Sequence, residues 1–217
     1  MAKVGALTPP GQSDDKRCAH RASLALRRAK LVCQSGEYLT LLRDVSELGV
    51  GLGFMHDVPP EPRVLLKLAN DMTYPVERVW TGKRQAGYRF GSQVTLEEFL
   101  RENSQYASRP LRLDFSAPMR ITDGRHRYDA RLLDLSSEGA KVTCAVDLQV
   151  GRMLSLDLDG MPPQLAQVRW SEGKRSGLKF HAPIDSEELA TCALLHQPFD
   201  KTRSSGFTKL LAKARAA

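Results

Sequence analysis

Two arginines four residues apart, Arg17 and Arg21, precede the segment Asp44-Val45-Ser46-Glu47-Leu48-Gly49. These residue types suit an anionic ligand with a hydrogen-bonding edge. A guanidinium takes phosphate oxygens, or the O6 and N7 edge of a guanine, in pairs, and its flat face stacks on a base. The Asp44 carboxylate accepts from base N–H groups, Ser46 offers a hydroxyl, and Gly49 permits close backbone approach. Lys16 adds positive charge beside the arginines. Bland readings stand beside this one. Asp-x-Ser-x-x-Gly is a good turn in its own right, with Asp and Ser bonding to their own backbone and Gly at positive φ. Arg17 and Arg21 also fit a solvated basic arm.

Ninety residues downstream the chain writes Asp134-Leu135-Ser136-Ser137-Glu138-Gly139. The offset persists: Tyr38 meets Tyr128, Trp80 meets Trp170, Gly87 meets Gly177, Phe90 meets Phe180, and Glu97-Glu98 meets Glu187-Glu188. Both tryptophans falling in register implies two copies of one unit. Trp80, Trp170, Phe90 and Phe180 are expected in the core. The second copy departs from the first ahead of its turn. Its arginines are Arg109 and Arg112, three apart, and Ser108 stands four before Arg112. A second site built on Arg109, Arg112, Asp134, Ser136 and Gly139, or a barrel serving structure or a partner, both fit this copy.

The elements that position these residues are read from periodicity. From Leu24 a strand runs to the turn Ser35-Gly36. Tyr38, Thr40 and Leu42, then Val50, Leu52 and Phe54, then Val64, Leu66 and Leu68, and Tyr88 and Phe90 follow the period of two of half-buried strands. Short strands between turn signals predict a small antiparallel barrel per copy. Thr95-Leu96-Glu97-Glu98 predicts a capped helix to about Glu102 or Asn103, and Asp185-Ser186-Glu187-Glu188 one through Leu194 or Leu195, stopped by Pro198. The expected organisation is a disordered leader at 1–15, a first barrel with basic arm and helix at 16–103, a second barrel and helix at 104–200, and a basic tail or helix at 201–217. In that tail Phe207, Leu210, Leu211 and Ala214 share one helical face.

Hydrophobic content of 41% and charged content of 26% over 217 residues are ordinary for a globular chain. There is no apolar run of about 18 residues and no signal-peptide pattern, so a cytoplasmic protein without a transmembrane segment is expected. The cysteines Cys18, Cys33, Cys144 and Cys192 show no metal spacing and read as reduced thiols. The net charge of +7 is concentrated: residues 16–30 hold six basic residues and residues 201–217 five, with no acidic residue in either. With those eleven set aside the remainder carries −4, which favours local anion recognition over a general polyanion surface. No nucleophile elbow, HExxH, P-loop or GxGxxG is present, so neither catalysis nor a cofactor or metal is expected.

The Arg-x-x-x-Arg pair ahead of a strand, the repeated Asp-x-Ser-x-x-Gly turn and the closing Gly-x-x-Phe (Gly87 to Phe90, Gly177 to Phe180) together resemble the PilZ family of cyclic di-GMP receptors, over about residues 16–91 and 108–181. The resemblance implies an all-β fold with short helices: two tandem six-stranded antiparallel PilZ-like β-barrels, each followed by a helix. It implies cyclic di-GMP as ligand, held between the arm (Lys16, Arg17, Arg21) and the turn (Asp44, Ser46, Gly49), with the arm ordering on binding. It further implies a bacterial source and a downstream protein partner in motility, exopolysaccharide synthesis or attachment. The rival reading is a protein-interaction module of two degenerate barrels that bind no nucleotide. A DNA or RNA binder using the basic extensions is not expected, because the body is acidic and clustered aromatics are lacking.

Overall fold

A computed structural model describes residues 22–100 and 110–199, with side chains from Arg27 onward in the first stretch. The leader, the segment 101–109 and the tail helix expected at Phe207–Arg215 lie outside the described residues. The first copy comprises β1 (Ala22–Val32), β2 (Glu37–Ser46), β3 (Gly49–Gly53), β4 (Arg63–Leu68), β5 (Thr73–Gly82), β6 (Gln85–Phe90) and α1 (Leu96–Leu100). The second comprises β7 (Arg112–Asp123), β8 (His126–Ser136), β9 (Gly139–Cys144), β10 (Met153–Asp157), β11 (Gln164–Glu172), β12 (Arg175–Phe180) and α2 (Ser186–His196).

Each set of six strands closes into an antiparallel barrel, with ring order β1-β2-β3-β6-β5-β4 in one and β7-β8-β9-β12-β11-β10 in the other. The two have one topology, and the offset of ninety recurs in their pairing: Gly49↔Arg89 answers Gly139↔Lys179, and Trp80↔Gly87 answers Trp170↔Gly177. The period of two is cleanest in β7, where Leu113, Phe115, Ala117, Met119 and Ile121 point inward and every residue between them is exposed. Helix α2 begins as its sequence predicts: Asp185 accepts from the Glu188 backbone N–H at 2.7 Å, and the Glu188 carboxylate takes the Asp185 N–H at 3.2 Å. Helix α1 is described as far as Leu100, so its expected end lies outside the described residues. Cys33, Cys144 and Cys192 are buried free thiols.

Two features depart from the alternation read in the sequence. In β2, Leu39 lies on the outward face between Tyr38 and Thr40 yet is fully buried, because it joins the core cluster of the second barrel. In return Leu194 and Phe199 pack on the core of the first, with the Phe199 ring 4.9 Å from that of Tyr38. Lys30, one of the basic residues ahead of the first turn, is 5% exposed at the same junction. Its Nζ donates to Glu37 Oε2 at 2.6 Å and to the Arg112 carbonyl at 2.7 Å, while Glu37 Oε2 also takes the Asp114 N–H at 2.7 Å. Burial raises the Glu37 pKa, against the pull of Lys30 and the Asp114 N–H. The Gln197 side chain completes the clasp on the Glu37 backbone, accepting its N–H at 2.9 Å and donating to its carbonyl at 3.1 Å.

The second departure concerns the tryptophans. Trp80 and Trp170 are 46% and 37% exposed and lie outside the core. The cause is a register shift between Arg78 and Trp80, and between Val168 and Trp170, where an irregular residue breaks the alternation and turns the next side chain outward. Each indole then lies flat on the glycine paired with it. A Cβ built on Gly87 or Gly177 would fall on the Nε1 of Trp80 or Trp170, far inside contact distance.

Two outcomes are expected from these contacts. Glu37→Ala leaves the Lys30 charge buried without its partner and should cost about 3 kcal/mol, read as a lowered denaturation midpoint for the full chain. Gly177→Ala lifts the Trp170 indole off the strand and should cost about 1–3 kcal/mol, read as a lowered denaturation midpoint together with a change in tryptophan emission.

Candidate functional site

One row of cross-strand partners in each barrel carries the candidate chemistry. In the first barrel it runs Ser23, Asp44, Gly51, Gly87, Trp80, across β1, β2, β3, β6 and β5. In the second it runs Asp114, Asp134, Lys141, Gly177, Trp170 across the equivalent strands. Paired residues point to the same side of a sheet, and neighbouring strands lie about 4.8 Å apart. The row therefore puts a carboxylate and an indole on one outer surface, with two intervening strands between them. Asp44 and Asp134 owe their place to a register shift after Leu42 and Leu132, so that Leu42 and Val45 both face the first core while Asp44 between them is half-exposed.

In the second barrel the site is described in full from Pro110 onward. Arg112 Nη1 meets Asp134 Oδ1 at 2.5 Å and Lys141 Nζ meets Asp134 Oδ2 at 2.8 Å, so the two oxygens of a carboxylate only 2% exposed are held by two cations. Beside this triad a cleft is lined by Arg112, Glu138, Arg169, Trp170 and Lys179. An indole face with cations around it matches the stacking and phosphate demands of a nucleotide. The corresponding positions of the first barrel are Leu48, Val79, Trp80 and Arg89, of which Leu48 and Val79 are exposed and Arg89 is bonded to Glu77 at 3.2 Å. The surface around the first turn is thus more apolar than that around the second.

The serine and glycine of each turn are engaged in the fold. Ser46 Oγ donates to the Gly49 carbonyl at 3.3 Å, and Ser136 Oγ to that of Gly139 at 3.0 Å, closing two-residue hairpins. The carbonyls inside the turns hold the far end of the barrel: Phe90 N–H donates to Leu48 O and Val94 N–H to Glu47 O, with Phe180 to Glu138 and Ile184 to Ser137 in the second copy. Neither Gly49 nor Gly139 has the positive φ that a turn reading expects. Each is glycine because the neighbouring strand passes too close: a Cβ on Gly49 would lie 2.7 Å from the Tyr88 carbonyl oxygen, and one on Gly139 nearer still to that of Leu178.

Of the residues singled out in sequence, the structure brings Arg112, Asp134, Ser136 and Gly139 together, and Asp44, Ser46 and Gly49 together. Lys16, Arg17, Arg21 and Arg109 lie outside the described residues. Strand β1 nevertheless starts beside the first turn, with Ala22 opposite Val45 and Ser23 opposite Asp44. In the second barrel Leu113 is opposite Leu135, the counterpart of Val45, so Arg112 occupies there the place that Arg21 takes in chain order ahead of Ala22. Sequence reasoning missed Lys141, Arg169, Lys179 and the outward indoles. The readable signal was the Trp-to-Gly spacing common to both copies, Trp80 with Gly87 and Trp170 with Gly177, which marks an indole covering a glycine. Among the described residues no His, Cys, Asp or Glu cluster could hold a metal, and no helix is long and apolar enough to cross a membrane.

Three solved structures share the arrangement loosely: Borreliella burgdorferi PlzA in complex with c-di-GMP, at 15% identity and TM-score 0.33 over 77% of this chain and 87% of that one; the Bacillus subtilis inhibitor of motility MotI/DgrA, at 12% and 0.34 over 81% and 97%; and Escherichia coli YcgR in complex with c-di-GMP, at 14% and 0.29 over 88% and 87%. No curated protein matches the sequence. The family model of the PilZ domain matches residues 105–195, a span that holds all of β7 to β12 and nearly all of α2. By that match, the barrel built around Asp134, Ser136 and Gly139 is a PilZ domain.

Proposed function

We propose that the chain is a cyclic di-GMP receptor, a binding protein and not an enzyme, whose first barrel is the sensory one. The observation that carries this reading is the register of β1. The chain enters the first barrel directly beside Asp44 and Ser46, so in sequence Arg21 immediately precedes the strand, with Arg17 and Lys16 four and five residues before Arg21. An arginine at that place has the reach required, since Arg112, its counterpart, contacts the motif carboxylate of the second barrel. Arg17 and Arg21 then take phosphate and guanine edges from above, Asp44 accepts guanine N–H groups, and the Trp80 face stacks a base. Ser46 and Gly49 act through the turn that places Asp44. The second barrel, with Arg109, Arg112, Asp134, Ser136 and Gly139, is a weaker or degenerate site. The receptor works in the cytoplasm, and closure of the arm alters the surface offered to a downstream protein governing motility, exopolysaccharide or attachment.

A second reading, a protein-interaction module that binds no nucleotide, draws on the exposed apolar residues Leu48 and Val79 beside the first turn. Isothermal titration of cyclic di-GMP into the full chain separates the two. Under the receptor reading the wild type binds, and Arg21→Ala or Asp44→Ala each weakens binding by more than tenfold; a silent wild type leaves the interaction module. Hydrogen exchange tests the clamp on its own: residues 16–23 should gain protection at saturating cyclic di-GMP, and unchanged exchange there rules out an arm that closes on the ligand.

A further inference from the structure

We infer that the outer face of the β7–β8 hairpin is a docking surface for an extended acidic segment of a partner protein. The inference is independent of the nucleotide reading and starts from what the same face does in the other copy. In the first barrel the outward residues at this end of β1 and β2 pair as Arg28↔Leu41, Lys30↔Leu39 and Val32↔Glu37. Lys30 and Leu39 are buried because the second barrel covers them. The contact reads an extended backbone: Lys30 Nζ donates to the Arg112 carbonyl and Glu37 Oε2 accepts the Asp114 N–H, both at the start of β7. A cation for a C=O and a carboxylate for an N–H, set on adjacent strands, is how this face holds a strand of another unit.

Ninety residues on, the same three pairs are Pro118↔Arg131, Arg120↔Asp129 and Thr122↔Arg127. Here the face is open, with every one of these residues exposed except the half-buried Thr122. Arg120 and Asp129 stand opposite each other, yet neither they nor Arg127 joins an ion pair among the described residues. Arg131 donates to Ser116 Oγ at 3.1 Å, which fixes one end of a guanidinium that has further N–H groups to offer. The nearby Asp123 is already held by Arg152 at 2.9 Å. On β8, Arg127, Asp129 and Arg131 follow one another on one side about 7 Å apart, the side-chain repeat of an extended partner strand. Three guanidinia around one carboxylate call for carboxylates and carbonyls at the arginines and an N–H at Asp129, which an acidic protein strand brings together. A nucleic acid would set its evenly spaced phosphates against Asp129 as well. The chain's own basic segments, 16–30 and 201–217, hold no acidic residue and do not fit the face. Nor does the face belong to the second candidate site, since Arg127 lies seven residues along β8 from Asp134, about 23 Å.

The test uses the full chain and a fluorescein-labelled peptide of alternating Glu and Thr, about twelve residues and so long enough to span the face when extended. Anisotropy titrations are run at low ionic strength without nucleotide. The wild type should bind, and Arg120→Glu combined with Arg127→Glu should weaken binding at least tenfold. The basic tail is the rival site for any acidic peptide, so Lys209→Glu combined with Lys213→Glu removes the same charge elsewhere and should cost less than threefold. Arg120→Gln with Arg127→Gln repeats the test without charge reversal, and thermal melts confirm that each variant folds. A silent wild type, or equal losses from face and tail, overturns the docking surface. So does a DNA duplex of arbitrary sequence that binds more tightly than the peptide and loses that binding in the face variant, which would give the face to nucleic acid. With cyclic di-GMP absent throughout, none of these outcomes bears on the receptor reading.

Discussion

The buried Lys30 ammonium decides how the two barrels meet. An unpaired charge at that depth is prohibitive, so every arrangement of the chain that buries Lys30 must also bring it a carboxylate and an acceptor. Glu37 supplies the first from the neighbouring strand, and the second barrel supplies the other through the Arg112 carbonyl. Glu37 in turn spends the same oxygen on the Asp114 N–H and its backbone on Gln197 beyond α2. A buried ion pair of this kind adds little to stability compared with apolar residues of similar volume, yet it is costly to leave half-made. Its effect is selective. Sliding the second barrel by one strand spacing would take from Lys30 its second acceptor and leave the Arg112 carbonyl and the Asp114 N–H without their partners, whereas the apolar contacts of Leu39, Leu194 and Phe199 alone would tolerate such a slip.

The same strands that close each barrel also aim its surface chemistry, through irregularities placed at matching positions. A regular ladder would send Asp44 and Trp80 inward with Leu42 and Val76; one irregular residue in β2 and one in β5 turn them out onto the same face. The second copy repeats both shifts, at Leu132/Asp134 and Val168/Trp170. The glycines of the row are the necessary complement, since an outward indole needs bare backbone beneath it to lie flat. The copies differ in what stands on and beside that floor. Gly51 becomes Lys141, Leu48 becomes Glu138 and Val79 becomes Arg169, with the backbone pairing unchanged.

Much of this was legible in the residues. The ninety-residue offset halved the fold problem, and alternation located the strands because β7 and its counterparts are half-buried in the simple way, with one face on the core and one in water. The capping box of α2 was readable because its cause is local. What failed did so for two physical reasons. The apolar bulk of Trp80 and Trp170 argued for the core, whereas an irregular residue before each turns the indole outward, and periodicity, which assumes an unbroken pleat, does not record such a residue. It also assumes that an outward face meets water, whereas Leu39 and Lys30 meet another barrel, and nothing within their own strand records that. The site was legible as a motif, Asp-x-Ser-x-x-Gly, but Lys141 carries no signature in its own segment; only its partner across the ladder gives it a role.

The two candidate sites stand in different mechanical relation to the clasp. In the first barrel Asp44 is opposite Ser23, seven residues along β1 from Lys30, a span of about 23 Å at the rise of an extended strand. In the second, a single residue joins site and clasp: the Arg112 guanidinium holds Asp134 while its carbonyl receives Lys30. A ligand shifts the arrangement of two bodies only by the difference in its binding energy between the arrangements, and roughly 1.4 kcal/mol is needed for each tenfold change in population. A ligand that draws the Arg112 side chain off Asp134 acts on a residue bonded to both barrels and so has direct access to that difference. One bound beside Asp44 must transmit its effect along a strand or through the arm. The second barrel is therefore the better lever on the junction, because its Arg112 belongs to both.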